Sequence, residues 1–129
     1  MHGGVEWIVD VEGLEGAAIA GERGRSALRA LFAELIDALD LHPLHEPLAH
    51  VFPAPGGVTL LVALSESHLA CHSYPEAGYL SLNLYTCRAR PAPDWEGLVR
   101  AHLGPARVRV RTIERGERAP AAVQRAPAR

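Results

Sequence analysis

Alternation of apolar and polar residues predicts strands at both ends and in the middle of the chain. In residues 5–11 every second position is apolar and is expected to face a core. Residues 58–64 are almost entirely apolar, and residues 107–113 alternate arginine with valine, so each predicts a further strand. Residues 44–52 are consistent with a strand that Pro47 interrupts, which restricts it to a sheet edge or a bulge.

Two segments follow a helical period instead. After Ser26, a suitable N-cap, apolar residues recur three and four positions apart up to about Asp40. Asp94 is expected to cap a shorter helix that runs through Leu103 and is closed by Gly104. Residues 12–25 are rich in glycine and alanine without a clear period, which predicts a loop with at most one helical turn.

These elements occur in the order β-α-β-β-β-β-α-β, and most neighbouring strands are linked too closely for parallel crossovers. The pattern predicts an α+β fold, a two-layer sandwich in which helices cover one face of an antiparallel sheet. Residues 1–113 are expected to form a single domain. From residue 114 onward proline, alanine and arginine dominate, so residues 114–129 are predicted to be a disordered tail.

Chemically reactive side chains are concentrated in residues 66–76 and 79–87, two strand-like runs joined by a Pro/Gly turn. With a period of two, the leucines of the second run share one face. The other face carries Tyr79, Ser81, Asn83, Tyr85 and Cys87. In the first run His68, Ala70 and His72 lie on one side. A hairpin here would combine one apolar face with one reactive face.

Composition narrows the possible settings. The chain has 129 residues, of which 48% are hydrophobic, enough for one domain with its own core. A formal net charge of −2 gives no reason to expect nucleic acid or an anionic membrane as a partner. There is no apolar run of about 20 residues and no signal-peptide pattern. Two cysteines cannot form a disulfide framework, and we therefore expect a reducing, cytoplasmic location.

The residue types alone leave three interpretations of the reactive stretch. Histidines and cysteines could bind a metal, although Cys71 would point away from His68 and His72 on a strand, which disfavours a zinc site. Ser67 or Cys87 could act as a nucleophile with His72. The side chains could also be ordinary strand residues, with Cys71 a small core residue.

Three motifs in register resemble the prokaryotic S-adenosylmethionine decarboxylase family. They are Thr59 followed by Glu66-Ser67-His68, then His72-Ser-Tyr-Pro-Glu76, then Tyr85-Thr-Cys87. The opening strand, the Phe52-Pro-x-Pro-Gly turn, the order of the helices and the total length also fit this family.

The resemblance implies a self-cleaving, pyruvoyl-dependent decarboxylase. In such an enzyme the Glu66–Ser67 bond breaks and Ser67 becomes a pyruvoyl group, with His72 as the processing base and Thr59 assisting through its hydroxyl. The pyruvoyl carbonyl would form a Schiff base with the substrate amine, replacing pyridoxal phosphate, and no metal would be needed. Cys87 would be the proton donor.

The same resemblance assigns substrate contacts to Phe52, Tyr74, Glu76 and Asn83, with the two aromatic rings flanking an adenine. The sequence departs from the family where Tyr74 replaces tryptophan, Thr59 replaces serine, Asn83 replaces an acidic residue and Arg88 replaces glycine. The turn before Thr59 reads Pro-Gly-Gly, one residue longer than usual.

The expected reaction is decarboxylation of S-adenosylmethionine for spermidine synthesis by a homodimer of processed protomers. The alternatives are a pyruvoyl enzyme acting on arginine or ornithine, and a catalytically silent homologue that binds or regulates a partner. An intact processing set disfavours the silent homologue.

Overall fold

The computed structural model describes residues 3–116, which form one six-stranded sheet and two helices. In chain order the strands are β1 (Gly3–Glu12), β2 (Leu48–Val51), β3 (Val58–Ala63), β4 (His68–Tyr74), β5 (Tyr79–Thr86) and β6 (Arg107–Gly116). The helices are α1 (Gly21–Ala38), between β1 and β2, and α2 (Trp95–Leu103), between β5 and β6. Short 3-10 helices occupy Gly16–Ile19 and Pro75–Ala77.

All neighbouring strands are antiparallel, in the spatial order β2-β3-β4-β5-β1-β6. The predicted order of elements and the α+β two-layer sandwich are therefore confirmed. The strand with the central proline lies at a sheet edge, as expected. However, the strand itself covers only Leu48–Val51. Before Pro47 the chain meets the end of β3 once more, where the N–H of Leu44 donates to the carbonyl of Ala63 at 2.9 Å.

One face of the sheet carries the core. Alternate residues of β1, β3, β4 and β5 point to the same side and pack against the apolar stripes of α1 and α2. The largest fully buried side chains come from both layers: Phe32, Ile19, Leu28, Leu31, Leu35, Leu60, Leu69, Leu80, Leu84, Val9, Val11 and Val58. The opposite face is covered by no helix within residues 3–116.

The predicted N-cap of the first helix is wrong. Ser26 is an exposed residue inside α1, which begins at Gly21 with Ala20 in the cap position and no side-chain cap. Tertiary contacts replace the cap, since the backbone N–H of Gly21 donates to the carbonyl of Gly56 at 2.9 Å. A Cβ atom on Gly24 would collide with the backbone of Ile19, so this turn packs directly on the preceding 3-10 helix.

A buried hydroxyl fastens the 3-10 helix Gly16–Ile19 to the sheet. Ser73 donates to the carbonyl of Ile19 at 2.7 Å and accepts from the N–H of Val58 at 2.9 Å. Both hydrogen-bonding roles of the buried serine are thus used, as a buried polar group requires.

At the C-terminal side, α2 matches the prediction: Asp94 accepts from the N–H of Gly97 at 3.1 Å and Gly104 ends the helix. β6 extends to Gly116, beyond the predicted end at residue 113, because the whole strand pairs with β1. The first three residues of the predicted tail are therefore strand. Residues 117–129, the rest of that tail, lie outside the described residues. No helix in residues 3–116 has the length and hydropathy to span a bilayer.

Candidate functional site

The solvent-exposed face of the sheet carries most of the reactive side chains that the sequence singled out. His68, Ala70 and His72 of β4 lie on this face, whereas Leu69 and Cys71 point into the core. On β5 Tyr79, Ser81, Asn83 and Tyr85 alternate in the same way with buried leucines. The predicted combination of an apolar and a reactive face is therefore confirmed.

At one end of this face the turn between β3 and β4 meets the end of β5. We call Glu66, Ser67, His68 and Cys87 the cleavage cluster. A backbone hydrogen bond closes the turn, since the N–H of Leu64 donates to the carbonyl of Ser67 at 3.0 Å. Across the turn, the thiol of Cys87 donates to Oε1 of Glu66 at 2.8 Å.

The Cys87 thiol is held in its neutral form. Its pKa is raised chiefly by the hydrogen bond to Glu66, then by burial and by the negative charge of that carboxylate. The guanidinium of Arg88 opposes this shift. The raised pKa favours the thiol over the thiolate, and only the thiol can donate a proton.

Beside the cleavage cluster, a chain of polar contacts runs from β4 to β6. The rings of His68 and Tyr85 lie 5.6 Å apart, and the guanidinium of Arg115 sits 5.5 Å from the Tyr85 centroid. Glu6 accepts from Arg115 at 2.7 Å and from the side-chain amide of Asn83 at 2.6 Å. The pKa of Glu6 is lowered, first by the hydrogen bond from Asn83, although burial opposes the shift and Arg115 adds to it.

Further along the sheet, Thr59 and His72 face each other across β3 and β4. The Thr59 hydroxyl lies 2.9 Å from Nδ1 of His72, and the two residues are direct partners in the strand register. We call Phe52, Thr59, His72 and Tyr74 the histidine cluster. The threonine that replaces serine keeps its hydroxyl within reach of the imidazole.

The predicted aromatic contacts belong to this second cluster. Tyr74 ends β4 and stacks on Tyr79 with ring centroids 5.6 Å apart, and Phe52 follows β2. Both rings are exposed, at 42% for Tyr74 and 52% for Phe52. Glu76 is exposed in the 3-10 turn that leads into β5.

The structure does not bring the two clusters together within one chain. His72 lies four residues along β4 from His68, which corresponds to about 13 Å of extended strand. Thr59 is the strand partner of His72 and lies four residues along β3 from Ala63, the partner of His68. Most of the predicted site residues therefore fall into two groups, which lie near opposite ends of β4 on the exposed face.

The alternative of a metal site receives no geometric support from the described residues. Cys71 is buried at 1% exposure on the opposite face from His68 and His72, and burial raises the pKa of its thiol to about 12. Within residues 3–116 no three His, Cys, Asp or Glu side chains converge into a cluster that could hold a metal ion.

Sequence reasoning missed several residues on this face. His50 is the strand partner of Thr59 and packs edge-on against Phe52, with ring centroids 4.5 Å apart. Asp10 accepts from the hydroxyl of Tyr79 at 2.5 Å, which raises the pKa of Tyr79 to about 12. A usable signal was present, since Glu6, Asp10 and Glu12 occupy the polar positions of the first alternating strand.

Comparisons with known proteins agree with the fold and the motifs. A family model described as S-adenosylmethionine decarboxylase matches residues 5–116. The S-adenosylmethionine decarboxylase proenzyme of Methanococcus maripaludis is 39% identical over 64 residues, covering 49% of this chain and 52% of the relative. The proenzyme of Bacillus cytotoxicus is 49% identical over 51 residues, covering 40% and 38% respectively. The matches thus span about half, or less, of these curated relatives.

A solved structure extends the similarity to nearly the whole chain. The adenosylmethionine decarboxylase from Aquifex aeolicus superimposes with a TM-score of 0.72, covering 90% of this chain and 92% of that one. At 24% identity this likeness shows that the two chains share a fold. It supports the two-layer sandwich independently of the sequence motifs.

Proposed function

Because the chain belongs to the S-adenosylmethionine decarboxylase family, we propose that it is a self-cleaving decarboxylase acting on S-adenosylmethionine, for spermidine synthesis. One observation supports this most directly. The Glu66–Ser67 bond lies in an exposed, hydrogen-bonded turn with the thiol of Cys87 2.8 Å from the Glu66 carboxylate. A cleavable bond and a proton donor therefore share one end of the sheet.

Self-cleavage can be written from the chain's own atoms. The Ser67 hydroxyl attacks the Glu66 carbonyl carbon, so that a C–O bond forms, the C–N bond breaks and the amine takes the proton. A base then removes the Ser67 α-proton, and its electrons form a double bond as Glu66 leaves as a carboxylate. Water displaces ammonia from the resulting enamine and leaves a pyruvoyl group at residue 67.

The residues at this end fit that group. Ser67 is half-buried in a fixed turn, and Cys87 lies on the neighbouring strand end. When formed, the pyruvoyl group supplies the electron sink for decarboxylation. Cys87 then provides the proton that replaces carbon dioxide on the substrate.

The charge expected near a sulfonium is still present although Asn83 is not acidic. Glu6 lies 2.6 Å from the Asn83 amide and contributes a carboxylate on the same part of the face. Arg115 shares that carboxylate at 2.7 Å, so the site is less negative than an unpaired acid would make it. Such a site suits a group with one positive charge, such as a sulfonium. Phe52 and Tyr74 offer exposed rings for the adenine, a group that arginine and ornithine lack.

We further propose that the functional form is a homodimer in which the two exposed faces meet. A two-fold interface is self-complementary, so the cleavage cluster of one copy can face the histidine cluster of the other, twice per dimer. The roughly 13 Å between the clusters in one chain then ceases to be an obstacle. Exposed apolar residues on the face, Leu48, Leu61 and Ile113 among them, suit such contact.

Denaturing mass spectrometry tests the cleavage. The expected result is two fragments divided between Glu66 and Ser67, the second blocked to Edman degradation. Ser67→Ala should remain one chain. Ser65→Ala is the matched control, since it removes a neighbouring hydroxyl from the same turn and should cleave normally. A single intact wild-type chain under all refolding conditions would refute the self-cleaving enzyme.

Substrate identity needs a separate assay of the cleaved protein. Carbon dioxide release is measured from carboxyl-labelled S-adenosylmethionine, arginine and ornithine at equal concentration. We expect release from S-adenosylmethionine alone. Release from arginine or ornithine only would support pyruvoyl-dependent decarboxylation but would show that S-adenosylmethionine is not the substrate.

Mixing two inactive variants tests the shared site. His72→Ala chains should cleave slowly alone, and Ser67→Ala chains cannot cleave. When they are unfolded together and refolded as mixed dimers, the His72→Ala chain should be cleaved by the intact histidine of its partner. If mixed dimers form and that chain stays uncut, His72 does not act across the interface.

A further inference from the structure

The contact between Glu66 and Cys87 joins the residue on the acyl side of the proposed cleavage point to the proposed proton donor. We propose that the Glu66 side chain is a positioning residue that holds Cys87 as an unreactive thiol until the chain is cut. Cleavage would then release this hold. The inference rests on the proposed self-cleavage for its second step but not for its first.

The contact joins two backbone segments that are each fixed independently. The N–H of Ser65 donates to the carbonyl of His42 at 2.9 Å, and Leu64 bonds to Ser67, so the turn that carries Glu66 is anchored. On the other side, the buried Thr86 hydroxyl donates to the carbonyl of Arg88 at 2.8 Å. Cys87 lies between these two residues, and its direction is therefore fixed as well.

Packing does not account for the contact. Glu66 is exposed and Cys87 is only half-buried, and neither belongs to the hydrophobic core. The 2.8 Å separation of Sγ and Oε1 instead indicates a directed hydrogen bond in which the thiol donates. A carboxylate acceptor stabilises the protonated thiol and disfavours the thiolate.

Two charged groups act on the Cys87 sulfur with opposite effects. Glu66 raises the pKa of the thiol and Arg88 lowers it, with Glu66 the larger influence. Once the Glu66–Ser67 bond is cut, Glu66 becomes the C-terminus of its fragment, carries a second carboxylate and is held only from its N-terminal side. The release step therefore requires both carboxylates to move away from the sulfur. Its side chain can then leave the sulfur, whereas Arg88 remains the next residue in sequence. Cleavage would thereby shift the balance towards a more reactive sulfur.

Thiol alkylation measures this directly. Iodoacetamide reacts with the thiolate, forming an S–C bond as iodide leaves, so the rate against pH reports the thiol's protonation. All variants carry Cys71→Ala, which removes the other cysteine. In uncleavable Ser67→Ala chains, adding Glu66→Gln should lower the midpoint of the profile and raise the rate several-fold below it. Glutamine keeps the size and an oxygen acceptor but removes the charge.

The matched control is Glu96→Gln in the same background, because Glu96 is an exposed carboxylate in α2. It should leave the alkylation midpoint unchanged. Coinciding midpoints for the Glu66→Gln and parent chains would overturn the proposal, whether or not the wild-type chain cleaves itself.

A second comparison tests the release step. Cleaved Cys71→Ala protein with Ser67 intact should alkylate with a midpoint close to that of the Glu66→Gln chain. A cleaved protein whose midpoint equals that of the uncleaved chain would show that the contact survives, and the release step would be wrong. Absence of cleavage would count against the proposed function, while the first comparison still decides the contact.

Discussion

The two ends of the exposed sheet face differ in what they contain and in what they lack. The cleavage cluster holds the peptide bond that we propose is cut and a cysteine whose pKa is raised. The base predicted for the processing step is not within reach along its own strand. The histidine cluster holds an imidazole with a hydroxyl 2.9 Å away but no bond to act on. Each end has the complement of what the other needs.

Residues that are close in sequence can lie far apart in space when they belong to an extended strand. His72 follows Ser67 by only five positions in the sequence. On the extended β4 the same interval separates them by well over 10 Å. The motif is therefore compact in sequence but spread along one strand.

The largest expected effect comes from removing the imidazole of the histidine cluster. His72→Ala should slow self-cleavage by about 1,000-fold, since loss of a general base typically costs 10² to 10⁴ in rate. Fragment formation after refolding, followed by gel or mass, gives the rate. His45→Ala provides the control, because His45 is exposed in a loop off the sheet and contacts only the backbone of its neighbour. Equal rates for both variants would remove His72 from the chemistry.

Leu61→Arg tests whether the two ends meet through a dimer. Leu61 lies in the row between the clusters and is 43% exposed, so the change places a charge in the proposed interface. Self-association should weaken about 100-fold, a cost of roughly 3 kcal/mol, as expected for an unpaired charge brought into a contact. The association constant measured by sedimentation equilibrium and the rate of self-cleavage should fall together, although Ser67 and His72 are unchanged.

Val110→Arg is the matched control for this change. Val110 is 40% exposed but pairs with the core-facing Val9 and therefore lies on the opposite side of the sheet. It should leave both association and cleavage intact. If Leu61→Arg remained as associated as the wild type, the exposed face would not be the interface.

A smaller effect is expected from the hydroxyl that accompanies the imidazole. Thr59→Val keeps the branched shape but removes the group 2.9 Å from His72, so cleavage should slow roughly fivefold, the effect of losing a hydrogen bond of about 1 kcal/mol. Thr112→Val makes the same change at an exposed position of β6 and should have no effect on the rate. Unchanged cleavage in Thr59→Val would make that hydroxyl dispensable.

The smallest expected effect concerns the acid that Asn83 and Arg115 hold beside the cleavage cluster. Because folding lowers the pKa of Glu6, its contribution to stability is present above its ordinary value of 4.5 and is lost as the pH falls through the lower folded value. Glu6→Gln should therefore lower the melting temperature at pH 7, and this difference from the wild type should shrink as the pH falls below 4.5. A difference that stays constant with pH would contradict this.

Glu22→Gln is the comparison for that series. Glu22 forms an exposed ion pair with Arg25 at 2.9 Å within one helix, and such pairs contribute little to stability. Its melting temperature should follow that of the wild type across the same pH range. The contrast separates a network at the site from ordinary surface charge.

Apolar patterning was enough to predict the sheet. Core residues such as Val9 and Leu82 recur at every second position of β1 and β5, and β3 is an almost continuous apolar run. The patterning failed where tertiary contacts decide the boundary, as at Gly21, whose helix starts against Gly56 without a capping side chain. The pairing of β1 with β6 was also readable in principle. Acidic residues alternate along the first strand and arginines along the last, and Arg107 contacts Glu12 at 3.2 Å.

For the site, the motifs identified chemical types and the structure supplied their distances. The role of Cys87 followed from a resemblance, whereas its contact with Glu66 depends on where a turn meets a strand end. Glu6 was missed because a carboxylate on an alternating strand resembles any solvated residue until Asn83 is placed beside it. Division of the set into two clusters required the register of β3 and β4.

The strand order determines how the two fragments would be held together if the Glu66–Ser67 bond is cut as proposed. Residues before the cleavage point contribute β1, β2 and β3, and those after it contribute β4, β5 and β6, interleaved as β2-β3-β4-β5-β1-β6. Three strand pairs, β3-β4, β5-β1 and β1-β6, therefore join one fragment to the other by backbone hydrogen bonds. The pieces should co-purify as an obligate pair, and once unfolded they would have to find each other from solution. If the proposed cleavage occurs, the protein would fold as a single polypeptide before the cut, and afterwards it could refold only through the association of two fragments.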